Sequence, residues 1–393
     1  MASEEHDAHQ GGDAEASRAD LVLEGGGVKG IALAGAIEVL EERGYLFGRV
    51  AGSSAGAIAG ALVAADVPAK DLVGLLREID YEKFRDGPWW TRPLVGKAAA
   101  ILVRKGVHRG RYVGTWLAEQ LAEHAQPADP SRPFTFADLP YQDPEGEAPD
   151  RPVGDGRSVG NGRSVGNRRP VEDAAADSST GADTDPGTGT GADASRLVVT
   201  ASDVTAGRLR LLPRDAGKYG MTAADLPVAE AVRASTAMPF FFRPVRWATS
   251  QGRRAYLVDG GMLSNFPVGV FDRADGALPR WPTFGIKLSA RPPADPAPVN
   301  RIRGALSYAL ALLDTLIGAR DRMHIDDPHV QARTIFVDTS FVKPTQFDLT
   351  DEDREKLYRT GRQAAIDFLD GTATREGWDF ARYVRTYRAG AAG

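Results

Sequence analysis

The stretch ADLVLEGGGVKGIALAGAIEVLEERGYLFGRVAGSSAGAIAGALVAAD, residues 19–66, decides how this chain is read. Ala19 to Glu24 is a short apolar run that ends in glycines, as a buried strand leading into a loop would. Ile31 to Arg43 carries apolar residues at helical spacing and stops at Gly44, a residue suited to leaving a helix in the left-handed conformation. Phe47 to Ala51 predicts a second strand. Ala55 to Asp66 predicts a helix so uniformly small and apolar that it belongs in a core. Strand, glycine loop, helix, strand, serine turn, helix is the opening of a layered α/β fold.

Two motifs punctuate this stretch, Gly25-Gly26-Gly27-Val28-Lys29-Gly30 and Gly52-Ser53-Ser54-Ala55-Gly56. The second has the form G-x-S-x-G. A serine hydroxyl is a weak nucleophile and must be exposed, oriented and relieved of its proton as it attacks. A tight strand-to-helix turn exposes Ser54, and side chains at Gly52 or Gly56 would collide with the elements packed around it. The positive end of the following helix favours developing negative charge. A small-residue helix start would look the same if the motif stood alone.

The glycine loop satisfies G-x-G-x-x-G and so admits a dinucleotide reading. That reading wants an acidic residue at the end of the second strand; Gly52 and Ser53 stand there instead. The better reading is an oxyanion site built from backbone N–H groups of successive glycines. Lys29 would meet an anionic head group or brace the turn. Downstream, Asp259-Gly260-Gly261 follows the strand-like Ala255 to Val258. Alone, D-G-G suits an Asp-led turn; with the other two motifs it supplies the carboxylate an acyl-transfer site needs.

The ordered set GGG-x-K-G, G-x-S-x-G and D-G-G resembles the patatin-like phospholipases. The resemblance extends to Ala231-Val-Arg-Ala-Ser-Thr-Ala-Met-Pro-Phe-Phe before the aspartate, and to Arg333-Thr-Ile, Phe347-Asp-Leu and the final helix. It spans about 20–140 and 196–370. It implies a three-layer α/β/α sandwich with a mostly parallel sheet, and a Ser–Asp dyad without catalytic histidine. Ser54 would be the nucleophile and Asp259 the base. Gly25, Gly26, Gly27 and Gly30 would form the oxyanion site, with Lys29, Gly52, Gly56, Gly260 and Gly261 supporting it. No metal or organic cofactor is implied, and the substrate would be a phospholipid or other acyl-ester lipid.

The rest of the chain sets bounds. With 393 residues, 42% of them hydrophobic, a large core is possible, and a net charge of -5 argues against a general nucleic-acid binder. The absence of cysteine removes disulfides, thiolate metal sites and a cysteine nucleophile. Residues 1–18 read as a disordered polar tail without the features of a Sec signal, and no apolar run is long enough for a transmembrane helix. The expectation is a cytoplasmic protein, with peripheral contact at a membrane as a further option. The domain would run over 19–390, interrupted at 141–195 by a low-complexity disordered insertion that repeats GRSVGN at 156–161 and 162–167; a regulatory or partner-binding arm is the alternative.

Further strands are expected at 196–204, 208–213, 282–288 and 334–338, and helices at 229–238, 303–321 and 351–369. His6, His9, His108, His124, His324 and His329 follow no predicted strand, so a histidine triad is disfavoured, and no spacing suggests a metal site. The basic segment 81–111, with Trp89 and Trp90, suits an anionic membrane interface or an ordinary solvated surface over two core tryptophans. Phe240, Phe241 and Phe242 would line an acyl pocket or pack in the core. The function expected is a lipid acyl hydrolase. A lipid transacylase, and a lipid-binding protein with a dormant site, are the alternatives.

Overall fold

The computed structural model describes residues 17–84, 105–125, 129–142, 195–273, 277–289 and 327–388, with a few isolated positions besides. The expected tail up to residue 16, nearly all of the 141–195 insertion, Trp89, Trp90 and most of the basic segment around them, and the helix expected at 303–321 lie outside the described residues, save scattered positions of the last.

The chain opens with β1 (Ser17–Leu23), α1 (Gly30–Glu42), β2 (Tyr45–Gly52), α2 (Ala55–Ala64) and α3 (Ala69–Glu78). It continues through β3 (Gly106–His108), α4 (Arg111–His124), β4 (Leu197–Asp203), β5 (Arg208–Leu212) and α5 (Val228–Ser235). Then come β6 (Phe240–Phe242), β7 (Val245–Ala248), β8 (Arg254–Asp259) and β9 (Thr283–Lys287). The last elements used below are α6 (Pro328–Ala332), β10 (Thr334–Phe336) and α7 (Asp351–Asp370). The strand expected to begin at Ala19 starts instead at Ser17, because Ser17 and Arg18 already pair with Tyr45 and Leu46. His329, expected in a loop, lies in α6, whose N-cap Asp327 accepts from the His329 N–H.

The main sheet is mostly parallel. β10, β9, β1, β2 and β4 follow one another in parallel, and β5, β8 and β7 add antiparallel strands at the β4 side. Side chains alternate between faces with period two. Leu21, Leu23, Val50, Leu197 and Val199 enter the larger core with α1, α2 and α7, while Val22, Ala51 and Val198 meet Phe266, Val268, Phe271 and Val330 on the other face. The result is the expected three-layer α/β/α arrangement. Both faces being covered explains why β1 and the end of β2 are buried almost without interruption.

Two glycines let the outer helices approach closely. A Cβ on Gly35 of α1 would stand 2.3 Å from the Tyr358 carbonyl oxygen, and one on Gly361 of α7 would stand 2.0 Å from that of Ala32. Thr350 caps α7: its hydroxyl accepts from the Asp353 N–H at 3.1 Å while the Asp353 carboxylate accepts from the Thr350 N–H at 3.1 Å.

One feature of β4 governs everything that follows. Its residues Val199 to Asp203 pair along one edge with β5, from Val199–Leu212 to Asp203–Arg208. The other edge is shared by two strands running toward each other. β2 arrives in parallel and ends with Gly52 opposite Val199; β8 arrives antiparallel and ends with Asp259 opposite Ala201. Only Thr200 separates the two registers, so the ends of β2 and β8 meet head-on.

Candidate active site

Ser54 lies two residues past the end of β2. Its backbone is at φ 51°, ψ -118°, a strained conformation for a residue with a side chain, and its carbonyl already accepts bonds from the first turn of α2. The turn is as tight as the motif predicts. A Cβ on Gly52 would come within 2.2 Å of the Gly56 carbonyl oxygen, and one on Gly56 within 2.3 Å of the Leu23 carbonyl oxygen. The Ser54 N–H donates to Ser235 Oγ at 2.9 Å, which ties the elbow to the end of α5.

Asp259 closes β8, and its N–H donates to the Ala237 carbonyl at 3.0 Å. Its carboxylate accepts the Gly261 N–H at 2.8 Å, and the Ser54 side chain is among the groups that act on it. Only 8% of Asp259 is exposed. Burial pushes its pKa up to about 6, and the Gly261 N–H and Ser54 hydroxyl only partly oppose this. No basic side chain is among the groups that shift it. Gly260 is required by proximity, since a Cβ there would lie 2.1 Å from Thr200 Oγ1. A Cβ on Gly261 would lie 2.6 Å from Asn265 Oδ1 and 3.1 Å from the Asp259 carboxylate.

The glycine loop lies against the same serine. A Cβ on Gly25 would meet Ser54 Cβ at 3.0 Å. The four glycines expected to share one role are not equivalent. The Gly25 N–H is engaged by the Asn265 carbonyl at 3.1 Å. Gly26 and Gly27 have no hydrogen-bond acceptor for their N–H groups among the described residues. Gly27 sits at φ 58° with its α-carbon so close to Pro344 that a Cβ would be 2.1 Å from the Pro344 carbonyl oxygen. Gly30 begins α1, and a Cβ there would lie 3.7 Å from Ala55 Cβ, ordinary contact. Lys29 is half-buried. Burial lowers its pKa, and the carboxylates of Glu24 and Asp338 pull the other way.

An apolar cavity of about 40 Å³ opens at Ser54, walled by Val28, Ile58, Leu76, Ile79, Phe84, Phe242 and Phe347 among others. Phe242 is buried and lines it, whereas Phe241 lies outside that wall and stacks on Phe347 with centroids 4.9 Å apart. His108, expected in a basic stretch, belongs to β3 and packs its ring on Phe241 at 4.7 Å.

Two residues of this neighbourhood escape the motif reading. Ser235 is a lone hydroxyl in the last turn of a largely apolar helix, and Asn265 follows a serine in the turn after D-G-G. Ser235 lies within the 231–241 stretch that carries the resemblance, which implies no role for it, and Asn265 belongs to no recognisable spacing.

The model of the patatin-like phospholipase family matches residues 21–272. The chain is 33% identical over 351 residues to YqhO, an uncharacterized protein of Bacillus subtilis, covering 89% of this chain and 97% of that one. Among solved structures, VipD from Legionella pneumophila is similar at 18% identity and a TM-score of 0.46, with 90% of this chain and 66% of that chain covered. ExoU in its heterodimeric complex with SpcU, from the type III secretion system of Pseudomonas aeruginosa, is similar at 19% identity and a TM-score of 0.40, covering 89% and 51% respectively. The chain thus spans about two thirds of the first and half of the second.

Proposed function

The chain belongs to the patatin-like phospholipase family, and from that premise we propose that it is a lipid acyl hydrolase acting through Ser54 and Asp259. The observation that carries the reading is the meeting of β2 and β8 on one edge of β4, which sets a strained, buried serine beside a buried carboxylate whose pKa is about 6. A base poised near neutral pH is ionised when needed yet basic enough to accept a proton in the transition state.

Asp259 takes the Ser54 proton as Oγ attacks the ester carbonyl. The oxyanion that forms is met by the N–H groups of Gly26 and Gly27, which lack acceptors among the described residues. Gly25 does not share that role, because its N–H is engaged, and serves as the close spacer beside Ser54. The proton on Asp259 passes to the leaving alcohol or lysolipid. Asp259 then activates a water that attacks the acyl-enzyme and frees Ser54. The apolar cavity receives the first carbons of the acyl group, and a longer chain requires Phe84, Phe242 or Phe347 to shift. Contact of 81–111 with a membrane surface remains part of the proposal on composition alone.

The test compares the wild type with Ser54→Ala and Asp259→Asn on a short-chain ester and on mixed phospholipid vesicles. Loss of both activities in both variants supports the dyad. Full esterase activity in Ser54→Ala, or failure of Ser54 to react with a fluorophosphonate probe, overturns it. Transfer of the acyl group to added alcohol or lipid instead of water would make the protein a transacylase with the same acyl-enzyme.

A further inference from the structure

Asn265 touches both halves of the site. Its backbone carbonyl accepts the Gly25 N–H at 3.1 Å, and its side-chain Nδ2 donates to the Gly25 carbonyl at 3.1 Å. Gly25 is therefore held on both sides by one residue. The same Nδ2 donates to Glu24 Oε1 at 3.3 Å, so both of its hydrogens are directed, and the amide can face only one way.

Glu24 is itself anchored. It is buried, its Oε1 accepts from the ammonium of buried Lys287, and its Oε2 accepts the Leu288 N–H at 2.5 Å. Asn265 is thus hydrogen-bonded to a carboxylate fixed to the end of β9. On its other side it is joined to Asp259 by a short, internally bonded loop. The Gly261 N–H binds the Asp259 carboxylate, and the N–H groups of Leu263 and Ser264 donate to the Gly260 carbonyl at 3.0 and 2.8 Å.

On the reading above, we infer that Asn265 is a positioning residue: it ties the loop that carries the base to the loop that carries the oxyanion donors, and so sets the distance between them. It touches neither substrate nor reacting atoms. Its effect is on where Gly26 and Gly27 stand when the oxyanion forms, a position for which a misplacement of about 1 Å can cost about a hundredfold in rate.

The experiment measures kcat, KM, the pH profile and thermal unfolding for the wild type, Asn265→Ala, Asn265→Ser and Ser54→Ala on a short-chain ester. Asn265→Ala is expected to lose about a hundredfold in kcat, with KM within about threefold, because ground-state binding in the cavity does not use this residue. The acid limb of its pH profile should stay where the wild type has it, because Asn265 is not among the groups that shift the Asp259 pKa. Asn265→Ser, with a hydroxyl able to donate toward Gly25, should recover part of the loss. It is also the variant that decides the matter if Asn265→Ala does not fold, by the same expected fall in kcat at steady KM. A kcat within twofold of wild type in a folded Asn265 variant overturns the inference, as does a loss carried wholly by KM or a displaced acid limb. An active Ser54→Ala overturns the proposed function and this inference with it; an inactive Ser54→Ala beside a fully active Asn265→Ala overturns the inference alone.

Discussion

Asp259 and Asp272 bracket a single loop and live in opposite electrostatic worlds. Asp272 lies against the guanidinium of Arg333, with contacts of 2.5 and 2.7 Å, and against Arg388 at 3.0 Å. Burial pushes its pKa up, but the hydrogen bonds and charge of Arg333, with help from Arg388, outweigh it and hold the carboxyl below its ordinary value. Asp259 is buried with only the Gly261 N–H and the Ser54 side chain opposing that burial, and is pushed up to about 6. The first carboxylate is a brace that must stay charged. The second has been left able to take up and release a proton near neutrality, at a cost in stability. The difference lies mainly in the partners supplied, with Asp272 also the more exposed of the two.

The comparison can be broken in several places. The largest effect expected is on rate: Asp259→Asn should lower kcat/KM for ester hydrolysis by about a thousandfold or more, as loss of a member of an activated nucleophile pair does. Asp272→Asn should leave kcat per folded molecule within a few-fold. Equal losses in steady-state assays of the two variants would erase the distinction. Next in size is stability. Asp272→Asn leaves Arg333, only 2% exposed, without its carboxylate, and should cost about 3 kcal/mol in urea denaturation, the low end for a broken buried pair because Asp272 itself is partly exposed.

The sign reverses at Asp259. Its pKa rises from an ordinary 3.8 to about 6 on folding, so the folded state holds the proton more tightly than the unfolded one. Its stabilising contribution is complete below the unfolded value and is lost as pH rises through about 6. At pH 8 the ionised carboxylate therefore works against folding, by a ceiling of about 3 kcal/mol. Asp259→Asn should accordingly unfold at a higher temperature than wild type at pH 8 and show little or no advantage at pH 4. A lower melting temperature at pH 8 would mean that its carboxylate is a brace after all. Catalysis supplies the companion test: kcat/KM of the wild type should fall about tenfold per pH unit below an inflection near 6, and a flat profile down to pH 4.5 would show that this group is not the base. The smallest effect concerns the cavity. Phe347→Ala should raise the rate on long-chain esters relative to a short one by a few-fold, by widening a space of about 40 Å³; an unchanged chain-length profile would put the acyl group elsewhere.

Much of this architecture was legible from residues 19–66. Apolar runs bounded by glycines marked β1 and β2, helical spacing marked α1, and an unbroken run of small residues marked α2. Those signals are local: each depends on backbone conformation and on the face its own side chains present. The segments α3 and β7 escaped the reading although Ala69, Leu72, Val73 and Leu76 of α3 stand at helical spacing, because charged residues interleave with them. Their conformations are held by the core they pack against.

The sequence by itself determined that a glycine loop, a serine turn and a D-G-G turn exist, each at the end of a strand, and that the chain forms a layered α/β fold. It did so because motifs of this kind specify backbone geometry over a few residues. Only the tertiary structure decided that β2 and β8 meet end to end on one edge of β4, which brings Ser54 and Asp259 together across about two hundred residues of chain. It also decided that the Gly25 N–H is engaged while those of Gly26 and Gly27 have no acceptor among the described residues, and that Asn265 is the residue joining the two loops. Strand register and burial are collective properties. A carboxylate's pKa depends on neighbours brought from distant segments, and no short window of sequence contains them.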